Sequence, residues 1–143
     1  MYEYIDAGLE AHWSGSLAEA TGLAHPPFAP VVRTSGIAIY TSGQTYPIIG
    51  VSGQPPAADA SLEEQTEACL VNIHNLVRAA GGTKDDIVKV TIYNTRMSDQ
   101  AAVNAVYLRF FDDHRPTRTH VEVARLADPD LLIEIEATAV IDG

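Results

Sequence analysis

A stretch near the C-terminus, residues 132–141, alternates between apolar and polar side chains. In an extended segment Ile133 and Ile135 fall on one face, whereas Glu134 and Glu136 fall on the other. Alternation of this kind is typical of a β-strand with one buried face and one open face. The stretch therefore predicts a sheet whose apolar face is covered by a second layer of structure.

Two helices are indicated for that second layer. Ser61-Leu-Glu-Glu64 has the pattern of a capping box, in which serine and glutamate side chains accept from backbone N–H groups at the helix start. Gly81-Gly82 ends this helix, because glycine readily adopts the left-handed cap conformation. A second helix begins near Ser98 and ends before Pro116. The predicted buried stripes are Cys69, Ile73, Leu76 and Ala80, then Val103, Val106, Tyr107 and Phe110.

The order of the elements predicts the fold class. The predicted strands are 31–33, 37–41, 87–93, 119–125 and 132–141, with 46–51 as a further short candidate. A hairpin turn is expected at 34–36, a turn at 127–130 joins the last two strands, and a short helix opens at Ser16 and stops at Gly22. The order β-β-(β)-α-β-α-β-β is typical of an α+β fold with two helices on one face of a mixed sheet. Self-association is the simplest way to cover the other face.

Composition restricts the class of protein further. A chain of 143 residues fits one domain, and a formal net charge of −10 repels phosphate backbones and anionic membranes. We therefore expect no nucleic-acid partner and no membrane association. Cys69 is the only cysteine, so an intramolecular disulfide is impossible. The first residues lack a signal-peptide core, and no apolar run approaches the roughly 20 residues that span a bilayer. These features favour a cytoplasmic protein.

Patterns for metal binding and for nucleophilic catalysis are missing. None of the five histidines has the i, i+2 or i, i+4 spacing of a metal site, and one cysteine cannot build a thiolate site. We therefore predict no metal and no cofactor. Ser42, in Ser42-Gly-Gln44, has no histidine or aspartate marked as its partner. A strand terminus is the favoured interpretation of this serine.

Arg118 and Glu134 are the charged residues that could act together. Arg118 closely follows Pro116 and leads into a strand, where its planar fork could bind a carboxylate with two hydrogen bonds. Glu134 would have to lie beside it, which antiparallel pairing of the last two strands would provide. From the residues alone, a surface arginine and a solvated strand face fit the same patterns.

Several ordered motifs resemble one family. Residues 115–126 read RPTRTHVEVARL and are followed by LIEIEA at 132–137, which is similar to the C-terminal signature of the Rid (YjgF) family of reactive-intermediate deaminases. YTSGQ at 40–44 resembles the family's early hairpin. Further matches lie at 64–66, 79–82, 86–91 and 102–107, so that the likeness covers roughly residues 27 to 141.

This resemblance implies a chorismate-mutase-like α+β fold and a homotrimer with inward-packed sheets and sites at subunit boundaries. It implies hydrolysis of imines and enamines of small 2-keto acids, such as 2-aminoacrylate, to keto acid and ammonia. Arg118 would anchor the substrate carboxylate, and Glu134 would position or activate the water. Ser42 and Asn104 would line the pocket.

The chain also departs from the family pattern. Residues 1–25 are an extension ahead of a Rid-like domain at 26–143. Phe28 stands where the family has tyrosine, and His120 stands where cysteine is common; both are predicted to line the substrate pocket. These changes favour a larger or pathway-specific enamine as substrate. The alternatives are a trimer that binds small carboxylates without turnover or acts as a chaperone, and an endoribonuclease, which the acidic balance disfavours.

Overall fold

The computed structural model of the protein describes residues 2–13 and 15–143. The strands are β1 (Tyr2–Ile5), β2 (Val31–Thr34), β3 (Ile37–Tyr40), β4 (Ile87–Asn94), β5 (Thr117–Glu122) and β6 (Ile133–Ile141). The helices are α1 (Leu9–His12), α2 (Ser16–Thr21), α3 (Leu62–Ala79) and α4 (Gln100–Phe111). Single 3-10 turns lie at Ala57–Asp59, Lys84–Asp86 and Met97–Asp99. The predicted α+β class is confirmed.

The main sheet has the strand order β3-β6-β4-β5. β6 pairs antiparallel with both β3 and β4, whereas β4 and β5 run parallel. Ile133, Ile135 and Ala139 in β6 are fully buried, and the residues between them are half-buried. The alternation predicted for residues 132–141 is therefore confirmed, and the apolar face of this strand carries the core of the domain.

Helices α3 and α4 cover that apolar face. The capping box at the start of α3 is confirmed: Ser61 Oγ accepts from Glu64 N at 3.1 Å, and Glu64 Oε2 accepts from Ser61 N at 3.0 Å. Ser61 is the N-cap and Gly81 follows the helix with φ 97°. The short helix predicted between Ser16 and Gly22 is also present as α2, with Gly22 as its left-handed C-cap (φ 72°).

Part of each predicted stripe is displaced by one residue. Leu76 is 40% exposed, and Val77 occupies the core position instead. In α4 the fully buried aromatic residue at the end of the helix is Phe111, whereas Phe110 only packs against the core. The buried stripe of an α-helix is wider than a single i, i+3, i+4 row, so one such row in the sequence does not locate the centre of the stripe.

Cys69 is buried as part of the α3 stripe, as predicted. Its side chain is fully buried, and Sγ donates towards the carbonyl oxygen of Ile133 at 3.6 Å. Burial is the main cause that raises the pKa of this thiol to about 12. The cysteine therefore acts as a small apolar core residue, held as the neutral thiol.

The predicted hairpin of strands 31–33 and 37–41 is wrong. β2 pairs antiparallel with β1 in a separate two-stranded sheet, whereas β3 pairs with β6. The chain changes sheet at Gly36, which has φ 141° and lies against the backbone of Ile141. The turn residues at 34–36 thus mark a passage between sheets, because each strand finds its partner far away in the sequence.

The additional strand considered at 46–51 is also absent. Gln44 forms an isolated bridge with Ile135, and the chain then leaves the sheet. Asn72 in α3, which is 2% exposed, binds this loop instead: its Oδ1 accepts from Ile49 N and its Nδ2 donates to Pro47 O, both at 2.9 Å. Side-chain hydrogen bonds satisfy the loop backbone that a strand would have satisfied with ladder bonds.

The expected pairing of the last two strands is wrong as well. β4 lies between β5 and β6, so the turn at 127–130 crosses over β4 and does not form a hairpin. Arg118 is opposite Val90, which is buried under the helices, and Glu134 is opposite Tyr93. Since neighbouring residues in register share a face, Arg118 faces the helices and Glu134 faces the open side of the sheet.

The open face of the sheet is mixed in character. Tyr40 is 77% exposed and Val121 is 39% exposed, while the Tyr93 hydroxyl donates to Glu136 Oε1 at 3.0 Å. The homotrimer with inward-packed sheets stays a prediction. None of the helices in the described part of the chain is long and apolar enough to cross a membrane.

The passage at Gly36 gives a test of the fold. A Cβ there would collide with the carbonyl group of Ile141, and φ 141° strains any L side chain. We expect Gly36→Ala to lower the free energy of unfolding by about 3 kcal/mol, since backbone strain and overpacking add. The control is Gly53→Ala, where φ is 80° but no atom lies within 4 Å, and the expected loss is about 1 kcal/mol. Urea denaturation of both variants measures the difference, and equal losses would contradict this packing of Gly36.

Candidate active site

Arg118 lies on β5, the edge strand of the main sheet, and its side chain turns towards α4. The guanidinium carbon is 5.5 Å from the ring centre of Phe28 and 4.9 Å from that of Tyr107. Phe28 comes from the segment before β2, and Tyr107 comes from α4. Two aromatic rings therefore hold the guanidinium through cation–π contacts, leaving its edges to make hydrogen bonds.

One edge of the guanidinium is bonded within the protein. Nη1 of Arg118 donates to Asn104 Oδ1 at 2.8 Å. Nε is buried and has no hydrogen-bond partner, and no described carboxylate lies within ion-pair distance of this arginine. Burial lowers the pKa of Arg118 from its usual value, with Tyr107 as the only opposing influence.

A buried cation without a counter-ion is costly. Leaving one buried donor unsatisfied costs about 1–3 kcal/mol, and more when the group is charged. Native proteins rarely retain such a group without a functional reason. The unpartnered Nε side of Arg118 is therefore the best candidate in the described structure for binding an anion.

Asn104 links Arg118 to the N-terminal segment. This side chain is fully buried on α4, and its Nδ2 donates to the carbonyl oxygen of Thr21 at 3.1 Å. The amide therefore uses its oxygen for Arg118 and its nitrogen for the end of α2. Asn104 fixes the orientation of the guanidinium and also ties residues ahead of β2 to the site.

Trp13 packs against the ring of Phe28. It is 8% exposed, and its indole Nε1 donates to Leu23 O at 3.1 Å. Its ring meets Phe28 edge-on, with 5.7 Å between ring centres. Trp13 thus packs behind the ring that covers Arg118, so the segment predicted as an extension contributes to the surroundings of the site.

His120 lies two residues after Arg118 and on the same face of β5. Its Nε2 is 3.2 Å from Asn94 Nδ2, and its Nδ1 is buried without a hydrogen-bond partner in residues 2–13 and 15–143. Burial, and then the charge of Arg118, lower the pKa of His120 to about 4. The imidazole is therefore neutral near pH 7.

Glu134 and Ser42 form a second group on the open face. The Glu134 side chain lies against Gly43, where a Cβ would come within 2.8 Å of Glu134 Cδ. Glu134 also lines a surface cleft of about 590 Å³, together with Arg125, Leu126, Ala127 and Pro129. Ser42, next to Gly43, is exposed, and its carbonyl oxygen accepts from Gln44 Nε2 at 3.2 Å.

The predicted site residues therefore fall into two groups within one chain. Phe28, Asn104, Arg118 and His120 lie together on the helix side. Ser42 and Glu134 lie together on the other side, with β4 between the strands of Arg118 and Glu134. Two strand spacings separate these backbones by about 10 Å, so one chain does not bring Arg118 and Glu134 into contact.

Comparison with known proteins identifies the family. A family model described as endoribonuclease L-PSP matches residues 20–141. The chain belongs to this family, also called the YjgF or Rid family. The family resemblance inferred from the motifs is confirmed.

Two curated relatives of this Rid protein come from Escherichia coli K12. The putative reactive intermediate deaminase TdcF is 42% identical over 108 residues, which cover 73% of this chain and 80% of TdcF. The 2-iminobutanoate/2-iminopropanoate deaminase is 44% identical over 108 residues, with the same coverage of both chains.

Solved structures agree with the family assignment. E. coli TdcF with bound serine superposes with a TM-score of 0.65 at 38% identity, covering 81% of this Rid protein and 93% of TdcF. The Rid-family protein YyfB from Yersinia pestis gives a TM-score of 0.74 at 27% identity and covers 98% of both chains.

Two residues of the helix-side group, Tyr107 and Asn94, were not predicted from the sequence as site residues. Tyr107 was expected as a core residue only, but its ring contacts Arg118, and its buried hydroxyl has no hydrogen-bond partner in the described part of the chain. Its position three residues after Asn104 on one helix is the signal that could have found it. Asn94 ends β4 and was not considered, because its contact with His120 depends on the parallel pairing of β4 and β5.

The unpartnered hydroxyl of Tyr107 can be tested without any ligand. We expect Tyr107→Phe to leave the free energy of unfolding unchanged or to raise it, because no protein hydrogen bond is lost. Tyr46→Phe is the matched control, since that hydroxyl donates to Pro55 O at 2.5 Å and its loss should cost about 1 kcal/mol. Chemical denaturation compares the two variants. A similar loss in both would mean that Tyr107 Oη has a partner in the free protein.

Proposed function

We propose that this Rid protein hydrolyses imines and enamines of small 2-keto acids to the keto acid and ammonia. The observation that carries the proposal is the buried guanidinium of Arg118, which has an unpartnered Nε and no acidic partner among the described residues. The name of the E. coli relative, 2-iminobutanoate/2-iminopropanoate deaminase, supports this substrate class.

Arg118 serves as the anchor of the substrate carboxylate. With Asn104 on Nη1 and the rings of Phe28 and Tyr107 against it, the guanidinium keeps its Nε side for the ligand. An arginine edge matches the two oxygens of a carboxylate, and such charge-assisted bonds are about twice as strong as neutral ones. Phe28, Asn104 and His120 form the walls around this anchor.

Glu134 positions and activates the water, and a second protomer supplies it. Within one chain Arg118 and Glu134 face opposite sides of the sheet. A site that contains both residues must therefore lie between two copies of the chain. A homotrimer, with Ser42 and Glu134 of one protomer placed against the Arg118 group of the next, would provide such sites.

The chemistry requires positioning and proton transfer only. An enamine takes a proton at its carbon and gives one up from its nitrogen, and so becomes the imine. The oxygen of water then bonds to the imine carbon, while Glu134 takes a proton from the water and passes it to the imine nitrogen. In the resulting carbinolamine the hydroxyl proton is transferred to the nitrogen, the C–N bond breaks, and ammonia leaves as the carbonyl forms. One water is consumed and one ammonia is released, without a cofactor.

The residues around Arg118 favour a substrate other than the smallest enamine. Phe28 presents a ring without a hydroxyl to the guanidinium, and His120 adds an imidazole next to it. Both are larger or less polar than the tyrosine and cysteine that the family pattern suggests for these positions. A longer or more apolar 2-imino acid therefore fits the surface formed by Phe28 and His120 better than 2-aminoacrylate does.

Arg118→Ala tests the anchor. A dehydratase that releases 2-aminoacrylate or 2-aminocrotonate supplies the substrate, and ammonia or keto-acid formation measures turnover. We expect the variant to lose about 100-fold or more in kcat/KM, because a buried charge-assisted contact is removed. Arg78→Ala, at an exposed position at the end of α3, is the control and should match the wild type. If Arg118→Ala equals the wild type, Arg118 is not the anchor. A wild type that does not accelerate ammonia release from any enamine tried would contradict the proposed activity.

Mixed assemblies test the shared site. Arg118→Ala and Glu134→Gln should each be inactive alone, while Glu134→Gln keeps its affinity for a keto acid. When the two chains are co-expressed in equal amounts, about one quarter of the interfaces combine an intact Arg118 with an intact Glu134. We therefore expect about a quarter of the wild-type activity to return. If verified mixed assemblies recover no deaminase activity, the site is not shared between two protomers. A fully active Glu134→Gln would exclude Glu134 from catalysis.

A further inference from the structure

The side-chain amide of Asn94 has a fixed orientation. Asn94 is fully buried at the end of β4, and its Oδ1 accepts from the backbone N–H of Arg96 at 2.8 Å. A backbone N–H requires an acceptor, so the oxygen of the amide must face Arg96 and the nitrogen must face the other way. On that other side lies His120 Nε2, 3.2 Å from Asn94 Nδ2.

This orientation determines the tautomer of His120. Nδ2 of Asn94 only donates, so Nε2 of the imidazole accepts and carries no proton. In the neutral ring the proton is then on Nδ1. Nδ1 is buried and has no acceptor among the residues that the structure describes. The protein thus holds a donor in place and leaves it unused.

A second unused donor lies on the same strand face. Arg118 Nε, two residues before His120 on β5, is also buried and has no hydrogen-bond partner among the residues that the structure describes. Side chains at i and i+2 of a strand point to the same side, and their Cα atoms are about 7 Å apart. One carboxylate placed between these side chains has enough lone pairs to accept from both.

We propose that His120 is a substrate-binding residue whose neutral Nδ1–H donates to the carboxylate held by Arg118, with Asn94 fixing the tautomer. The inference rests on the proposed function, and it assigns a donor that Arg118 alone does not supply. The ligand class is a 2-imino or 2-keto monocarboxylate.

Two isosteric variants distinguish the effect of losing the Nδ1–H donor from the effect of losing the imidazole ring. His120→Asn places an amide N–H near the position of Nδ1, whereas His120→Gln places its amide near Nε2, where it bonds Asn94 but offers nothing at Nδ1. We expect His120→Asn to bind 2-oxobutanoate within about threefold of the wild type. His120→Gln should bind about tenfold more weakly, with KM raised by the same factor and kcat nearly unchanged.

A measurement on the unmodified protein does not depend on how the variants fold. Nitrogen-15 NMR of the imidazole should show a protonated Nδ1 and a bare Nε2 at pH 7. Addition of 2-oxobutanoate should shift the Nδ1 proton resonance downfield. A proton on Nε2, no change of Nδ1 on saturation with 2-oxobutanoate, or equal behaviour of the Asn and Gln variants would each overturn the proposal.

Failure of this inference can be told apart from failure of the proposed function. An active wild type, an inactive Arg118→Ala and equal His120 variants would reject the role of His120 and retain the deaminase. A wild type that releases no ammonia but binds 2-oxobutanoate through His120 Nδ1 would retain the binding role and reject the deaminase.

Discussion

The site depends on one interaction, the contact of the Arg118 guanidinium with the rings of Phe28 and Tyr107. These rings bury a permanent positive charge at the edge of the sheet without neutralising it. An acidic side chain would have stabilised the charge and occupied the edge that a ligand needs. Instead, Nη1 of Arg118 donates to the neutral side-chain oxygen of Asn104, and Nε has no hydrogen-bond partner among the described residues. The unpaired charge lowers the free energy of unfolding, and the proposed binding of an anion would raise it again.

Local sequence signals predicted the helices and strands better than they predicted which strands pair with each other. The Ser61 capping box, the glycines after α3 and the alternation of β6 each depend on a few neighbouring residues, and each was read correctly. The pairing of β2 with β1 and the insertion of β4 between β5 and β6 depend on residues far apart in the chain. The turn residues at 34–36 and 127–130 indicate that the chain changes direction. They do not indicate which strand the following segment pairs with.

The candidate site was predictable in the same partial way. Arg118 was singled out by its place at the start of a strand, Asn104 and His120 came from the family resemblance, and the structure places the three together. Tyr107 and Asn94 act through contacts that exist only once β4, β5 and α4 are assembled, so their spacing in the sequence carried little signal. Glu134 was expected beside Arg118 but lies on the opposite face. This separation is the reason why the proposed deaminase site lies between two protomers.

The buried thiol of Cys69 has a practical consequence. As the only cysteine in the chain, fully enclosed and with its pKa raised by burial, it will react slowly with maleimides and other electrophilic dyes. A new cysteine at an exposed helix position, for example Arg78 at the end of α3, would then be the single efficient attachment point for a fluorophore. Energy transfer between donor- and acceptor-labelled chains would then follow the exchange of chains in the proposed homotrimer without first removing the native sulfur.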